Sequence, residues 1–153
     1  MYRSRLGKNL GKITLDYVSS INDDVEIALY DILGSQAHAI MLYENKIITK
    51  NEIKKILKGL ESLKKEKFDK KTDSEDIHEL IESLIIKKIG IDAGGKMHTA
   101  RSRNDQVALD IRMKIRDDIN ITCQCLLDTI KSLVVLAKKH QETIIPLYTH
   151  LQQ

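Results

Sequence analysis

The sequence predicts an all-α protein: a helical N-terminal domain over residues 1–103, followed over residues 104–153 by the first long helix of a multi-helix bundle domain. Three observations point there. Apolar residues recur at intervals of three and four along nearly the whole chain, the spacing that lines one face of an α-helix, and few segments alternate as a strand does. The one proline, Pro146, falls near the end, so little interrupts helix formation before it. From Val107 to Ala137 a single apolar row persists for longer than a domain of this size can cover.

The first segment, through Ser20, is loosely patterned. A helix follows from about Asp24 to Asn45, in which Ala28, Gly34, Ser35, Ala37 and Ala39 let a second helix approach closely. Gly34 inside a helix costs about 1 kcal/mol relative to alanine, so close packing or a site must offset it. Thr49 and Glu52 have the spacing of a capping box, and Ile53, Ile56, Leu57, Leu60 and Leu63 then form one stripe. Thr72 and Glu75 repeat that spacing ahead of a helix that runs to Lys88 and stops at Gly90. The last helix runs from Asp105 to about Lys139, with Val107, Ile111, Ile115, Ile119, Cys123, Leu126, Ile130, Leu133 and Ala137 along one face. At ~1.5 Å per residue it is roughly 50 Å long and must find partners outside its own domain. Leu127, Val134 and Val135 widen the apolar face beyond a narrow seam, which suits burial in a bundle. The tail from Pro146 to Gln153 reads as a polar loop with no element after it, and the sequence therefore reads as a truncated chain.

Charged residues make up 31% and apolar residues 42% of the chain, the balance of a globular protein rather than a disordered or membrane one. The net charge is +3, with 25 basic and 22 acidic side chains interspersed, so no strong field recommends a nucleic acid partner. Lysine pairs such as Lys64-Lys65 and Lys70-Lys71 read as solvated helix faces. The N-terminus lacks the apolar run of a signal peptide, and no apolar stretch approaches the roughly 20 residues of a membrane-spanning helix; a cytoplasmic location without a membrane partner is expected. Cys123 and Cys125, two apart on a helix, point to different faces. They suit neither a mutual disulfide nor a shared metal and are expected in the core or at its boundary. His38 and His140 read as helix-surface or boundary residues, and neither a metal nor a cofactor is expected.

One segment departs from this background of Ile, Leu and Lys. Gly94 to Gln106, GGKMHTARSRNDQ, gathers Lys96, His98, Thr99, Arg101, Ser102, Arg103 and Asn104 between two helices. Arginine forks bind carboxylates in bidentate fashion. Glycines admit positive φ and a close backbone approach, and the N–H groups and positive dipole end of the long helix open into the same space at Asn104 and Asp105. Two readings fit: an N-cap at Ser102 or Asn104 with the arginines paired to acids elsewhere, or a preorganised anion receptor. The cluster Ser74-Glu75-Asp76-Ile77-His78 is open in the same way. Acids in a first helical turn complement the dipole, whereas Asp76 can instead orient Arg101 or Arg103; His78 alone carries no specific signal. In the tail, His150 beside Thr149 suits proton transfer near neutrality, although lone histidines are more often structural.

Taken together, Asp31 to Ala39 (DILGSQAHA), Glu75-Asp76-Ile77-His78, Gly95 to Gln106 and Tyr148-Thr149-His150-Leu151-Gln152 occur in the order and spacing of argininosuccinate lyase. The chain resembles the N-terminal third of that family, within the fumarase and aspartase superfamily. The HTARSRNDQ run is highly specific, and the other motifs gain weight in series. The resemblance implies reversible elimination of fumarate from argininosuccinate to give arginine, the last step of arginine synthesis, in a homotetramer that builds each active site from three chains. Removing a proton from carbon beside a carboxylate concentrates negative charge there, which fixed donors must meet. By the same resemblance Arg103, Asn104 and Thr149 match positions around the succinyl end, and Ser20 falls where the family has a substrate-binding serine. His150 matches a histidine described as proton acceptor or as activator of the true base. Asp76, His78, Arg101 and Ser102 are expected to support them.

Departures from the family pattern are as informative. Family chains are several times longer, and their mobile serine loop and lysine, tyrosine and glutamine substrate contacts fall beyond Gln153. Leu147 stands where many relatives have glycine. The expectation is an incomplete fragment, inactive alone. The alternative is a non-catalytic helical oligomerisation or interaction module derived from the same family; the contiguous HTARSRNDQ run argues against adenylosuccinate lyase.

Overall fold

The computed structural model describes residues 11–68, 72, 74–150 and 152. The start of the loosely patterned first segment, the Lys70-Lys71 pair, and Leu151 and Gln153 of the tail lie outside these residues. The all-α expectation holds. The helices are α1 (Lys12–Val18), α2 (Ile21–Asp24), α3 (Ala28–Glu44), α4 (Lys50–Leu63), α5 (Ile77–Ile89), α6 (Ile91–Gly94) and α7 (Arg103–Lys139). No strand occurs among the described residues, only one isolated antiparallel bridge between Thr149 and Gln152. Two compact units are present, one ending at Lys114 and the other running from Ile115.

In the first unit α3 packs on α4 and α5, and α4 on α5 and α6. Ile32, Ala39 and Leu42 of α3 meet Ile53, Ile56, Leu60 and Leu63 of α4 and Ile77, Ile81 and Ile85 of α5, with Ile48 and Met97 supplied by the connections. Each large aliphatic side chain buried this way contributes about 1.5–3 kcal/mol. The expected α4 stripe is this core face, with Leu57 half-buried at its edge. Of the small residues expected to admit a neighbouring helix, Ala28, Gly34, Ser35 and Ala39 are buried and Ala37 is exposed.

Local signals place most helix ends. Thr49 caps α4 with a complete capping box: its hydroxyl accepts from the Glu52 N–H, and the Glu52 carboxylate accepts from the Thr49 N–H at 2.7 Å. Gly90, at φ 86, ends α5 in a conformation that a side chain resists.

Several boundaries differ from the expectation. The stretch read as one helix from Asp24 begins instead with a separate turn, because the Ser20 carbonyl accepts from both Asp23 and Asp24 N–H at 3.0 Å. A 3-10 turn at Val25–Ile27 then joins α2 to α3. The Thr72 capping box does not form. Asp76 caps α5, accepting from the Glu79 N–H at 2.6 Å, because its extended backbone presents the carboxylate to the third N–H of the helix. The short α6 was not foreseen; Gly94 lets it lie against the α5 backbone at Ile86.

Helix α7 is 37 residues long and begins two residues ahead of the expected Asp105. Within the first unit it buries Gln106 and Asp110. From Ile115 onward every described residue is exposed, including the row Ile115, Ile119, Leu126, Ile130 and Leu133. Cys123 and Cys125 are therefore exposed rather than in a core, since no described residue covers this part of α7. By length and composition alone α7 is also apolar enough to cross a membrane, against the expectation that no stretch reaches that length. Core helices of bundles meet the same test, and Asp128 and Lys131, an ion pair at 3.5 Å, interrupt the apolar run from Ile119 to Leu136.

Candidate functional site

The unusual Gly94–Gln106 segment leads from α6 into the head of α7, and the structure divides its cations among three tasks. Lys96 turns back to α4, where Nζ meets the capping-box carboxylate of Glu52 at 2.5 Å. That bond, with those from Thr49, holds the Glu52 carboxyl down at about 2. Arg101 reaches inward, and its Nη1 donates to Ser35 Oγ on α3 at 2.8 Å. Arg103 stays at the surface: Nε lies 3.3 Å from Asp76 Oδ2, and Nη1 donates to Gln106 Oε1 at 2.9 Å. Ser102 caps α7, its hydroxyl accepting from the Asn104 N–H at 3.2 Å. Neither Gly94 nor Gly95 adopts positive φ; the left-handed residue of the segment is Ala100, at φ 56. Its strain is held by the turn in which the Arg101 N–H bonds the His98 carbonyl. His98 is half-buried, and its pKa is pushed down by burial first and then by Arg103 and Arg101.

Beneath this surface lies a polar cluster in the core. Asp31 of α3, His78 of α5 and Asp110 of α7 are all buried, with His78 Nδ1 3.2 Å from Asp31 Oδ1 and 3.5 Å from Asp110 Oδ2. The buried Gln106 amide donates to Asp31 Oδ1. Burial alone would raise the Asp31 carboxyl. It is outweighed by His78 at ion-pair distance, the bond from Gln106 and the charge of Arg101, which hold it below the ordinary range. Asp110 moves the other way: burial, then the neighbouring Asp31 charge, push it up to about 7 against the pull of His78 and Arg101. One carboxylate is thus kept ionised and the other inclined to keep its proton, as close carboxyls do. Gly34 belongs to this cluster, because a Cβ there would sit 3.1 Å from Leu109 Cδ2, 3.3 Å from Arg101 Nη2 and 3.4 Å from Asp110 Oδ1. Close packing and a polar site both account for a glycine inside α3.

Asp31, His78 and Asp110 also have the composition of a metal site, with donor atoms within 4.8 Å of one another. Asp31 Oδ1 is already engaged by Gln106 and His78, and Arg101 compensates the charge of both carboxylates. These donors suit proton sharing better than an added cation.

The other expected residues fall as follows. Ser20 is exposed at the head of α2; its hydroxyl bonds Asp24 Oδ2 at 2.5 Å, and its N–H bonds the Glu75 carbonyl at 3.0 Å, one residue before the Asp76 that meets Arg103. Asn104 is exposed in the first turn of α7. Thr149 and His150 belong to the second unit, where Thr149 pairs with Gln152 and His150 takes φ 52. His38, read as a boundary residue, is half-buried with Nε2 at 2.9 Å from the Thr99 carbonyl, and His140 is exposed. Asp31, Gln106 and Asp110 were not foreseen as partners. A signal was present for Asp31, a polar residue three positions after Ala28 on the buried face of α3; Gln106 and Asp110 each stand one position before the row residues Val107 and Ile111 and carried none.

Comparison of the whole chain with known families gives a class of enzyme. A family model described as lyase matches residues 9–153, and the chain belongs to that family. Its curated relatives include the argininosuccinate lyase of Nitrosopumilus maritimus, 72% identical over 153 residues that make up 100% of this chain and 32% of the relative. The argininosuccinate lyase of Methanocaldococcus jannaschii is 45% identical over 98% of this chain and 32% of its own length. That of Caldanaerobacter subterraneus subsp. tengcongensis is 43% identical over 100% of this chain and 35% of its own length. The chain spans about a third of the length of the relatives it matches.

Proposed function

We propose that this chain contributes to an argininosuccinate lyase that reversibly eliminates fumarate from argininosuccinate, leaving arginine. In this reading Arg103 and Asn104, with Ser20 and Thr149, receive the succinyl carboxylates, and His150 serves the proton transfer. A proton leaves the carbon beside a carboxylate, the C–N bond breaks, and the guanidino nitrogen departs with the electron pair. Charge accumulates on the carboxylate on the way, and a preorganised guanidinium at a helix N-terminus stabilises it.

The observation that carries this reading is Arg103 itself. It stands in the first turn of α7 with two edges anchored by Asp76 and Gln106 and its side chain 34% exposed. A cation meant only to neutralise Asp76 would not need the second, buried partner. The likeness to three argininosuccinate lyases supports the substrate, and coverage of about a third of their length supports a site that needs further residues. The reading includes a cytoplasmic homotetramer that uses no cofactor and binds neither membrane nor nucleic acid.

Fumarate release from argininosuccinate, followed by ultraviolet absorbance, tests it. The 153-residue polypeptide alone should release none, and a polypeptide extended to the relatives' length should turn over. Turnover by the short chain, or none by the long one, contradicts the proposal. The exposed apolar row of α7 favours a second reading, a helical oligomerisation module without chemistry; a long chain that assembles but binds neither succinate nor arginine would support it.

A further inference from the structure

Arg103 is tied into the core by a relay that the proposed reaction does not by itself require. Gln106, one turn along α7, is buried, yet its amide bridges the surface to the interior. Its oxygen accepts from Arg103 Nη1 at 2.9 Å, and its nitrogen donates to Asp31 Oδ1. This amide has one workable orientation. Flipped, its oxygen would face the Asp31 carboxylate and its NH₂ the guanidinium, two repulsive contacts in place of two bonds. Asp31 lies at ion-pair distance from the buried His78, 3.2 Å from Nδ1, and Asp76, across the guanidinium, accepts from the Glu79 N–H at 2.6 Å. The Nε and Nη1 edges of Arg103 therefore meet groups that are themselves bonded to other parts of the fold.

We propose that Gln106 is a positioning residue for Arg103: anchored through its amide to the buried Asp31–His78 pair, it fixes the guanidinium in the orientation that receives a carboxylate of a dicarboxylate-bearing substrate. The inference rests on the reading that Arg103 binds such a carboxylate. A guanidinium free to rotate would meet the carboxylate only part of the time, so the effect belongs to binding of the succinyl half and not to binding of arginine.

The test uses the full-length enzyme with succinate and arginine as separate inhibitors. Gln106→Met removes both bonds at nearly constant volume. It should weaken succinate inhibition and raise KM for argininosuccinate about tenfold, the usual scale of a charge-assisted hydrogen bond, while arginine inhibition stays as in the parent. In an Arg103→Met background the same substitution should add nothing, because its effect runs through the missing guanidinium. Gln106→Asn, which keeps an amide but is too short to bridge both partners, should repeat the result and serves if the Met variant does not fold. A penalty that persists in full without Arg103 overturns the positioning role, as does a variant that loses only thermal stability and keeps parental succinate affinity. If Arg103→Met alone leaves succinate affinity unchanged, the site reading fails and this inference falls with it, a result read from a different variant.

Discussion

Asp110 is the residue whose titration bears most directly on stability. Its carboxyl is raised to about 7 by burial and by Asp31, with His78 and Arg101 opposing. Between the ordinary carboxylate value and pH ~7 the folded chain holds a proton that the unfolded chain has released, so stability falls as pH rises through that window, by at most about 1.4 kcal/mol per pH unit from this group. Asp31 has the opposite sign: its carboxyl is lowered, so its contribution is present above the ordinary value and is lost on acidification. Denaturant unfolding should show Asp110→Asn flattening the decline between about pH 4 and about pH 7; an identical slope in parent and variant would count against the raised carboxyl. At this scale the sequence was legible only in part. Ser102 was readable as a candidate cap, because helix starts are local patterns. Gln106 and Asp31 stand 75 positions apart, and nothing in either neighbourhood names the other.

At the scale of elements, capping and glycine chemistry account for most boundaries, and each can be tested singly. Thr49→Ala removes half of the α4 capping box and should lower stability by about 1 kcal/mol. Gly94→Ala should cost about 1–3 kcal/mol, because the new Cβ would lie 2.9 Å from Ile86 Cα and backbone cannot move aside as a side chain can. Urea midpoints decide both, and a Gly94→Ala chain as stable as the parent would mean that α6 can lift from α5 at no cost. The sequence supplied the Thr49 box and the Gly90 stop. It misjudged the α5 cap, since Thr72 and Asp76 are both good capping residues and only the backbone at residue 76 chooses between them. Gly94 was noticed for positive φ and for close backbone approach, and only the second holds, as the contact of α6 with α5.

For the molecule as a whole, the exposed face of α7 dominates. Ile115, Ile119, Leu126, Ile130 and Leu133 are between 49% and 60% exposed, a row too continuous to remain in water at working concentration. Light scattering on the 153-residue chain should therefore give a dimer or larger assembly. Ile119→Asp with Leu126→Asp should return it to monomer while leaving the first unit folded, as judged by an unchanged denaturation midpoint. A monodisperse monomer for the parent would contradict burial of this face in a bundle.

The sequence by itself determined the all-α class, the α4 stripe, the length of α7 and the lyase resemblance, because periodicity, capping and contiguous motifs are written over short spans. Only the tertiary structure decided how the three cations of the Gly94–Gln106 segment divide, with Lys96 to Glu52, Arg101 to the core and Arg103 to Asp76 and Gln106. It also decided that two carboxyls, a histidine and an amide share one buried cluster. The reason is physical: a buried polar group must find its partner wherever packing brings one, and packing joins α3, α5 and α7 across distances in the chain that local pattern does not span.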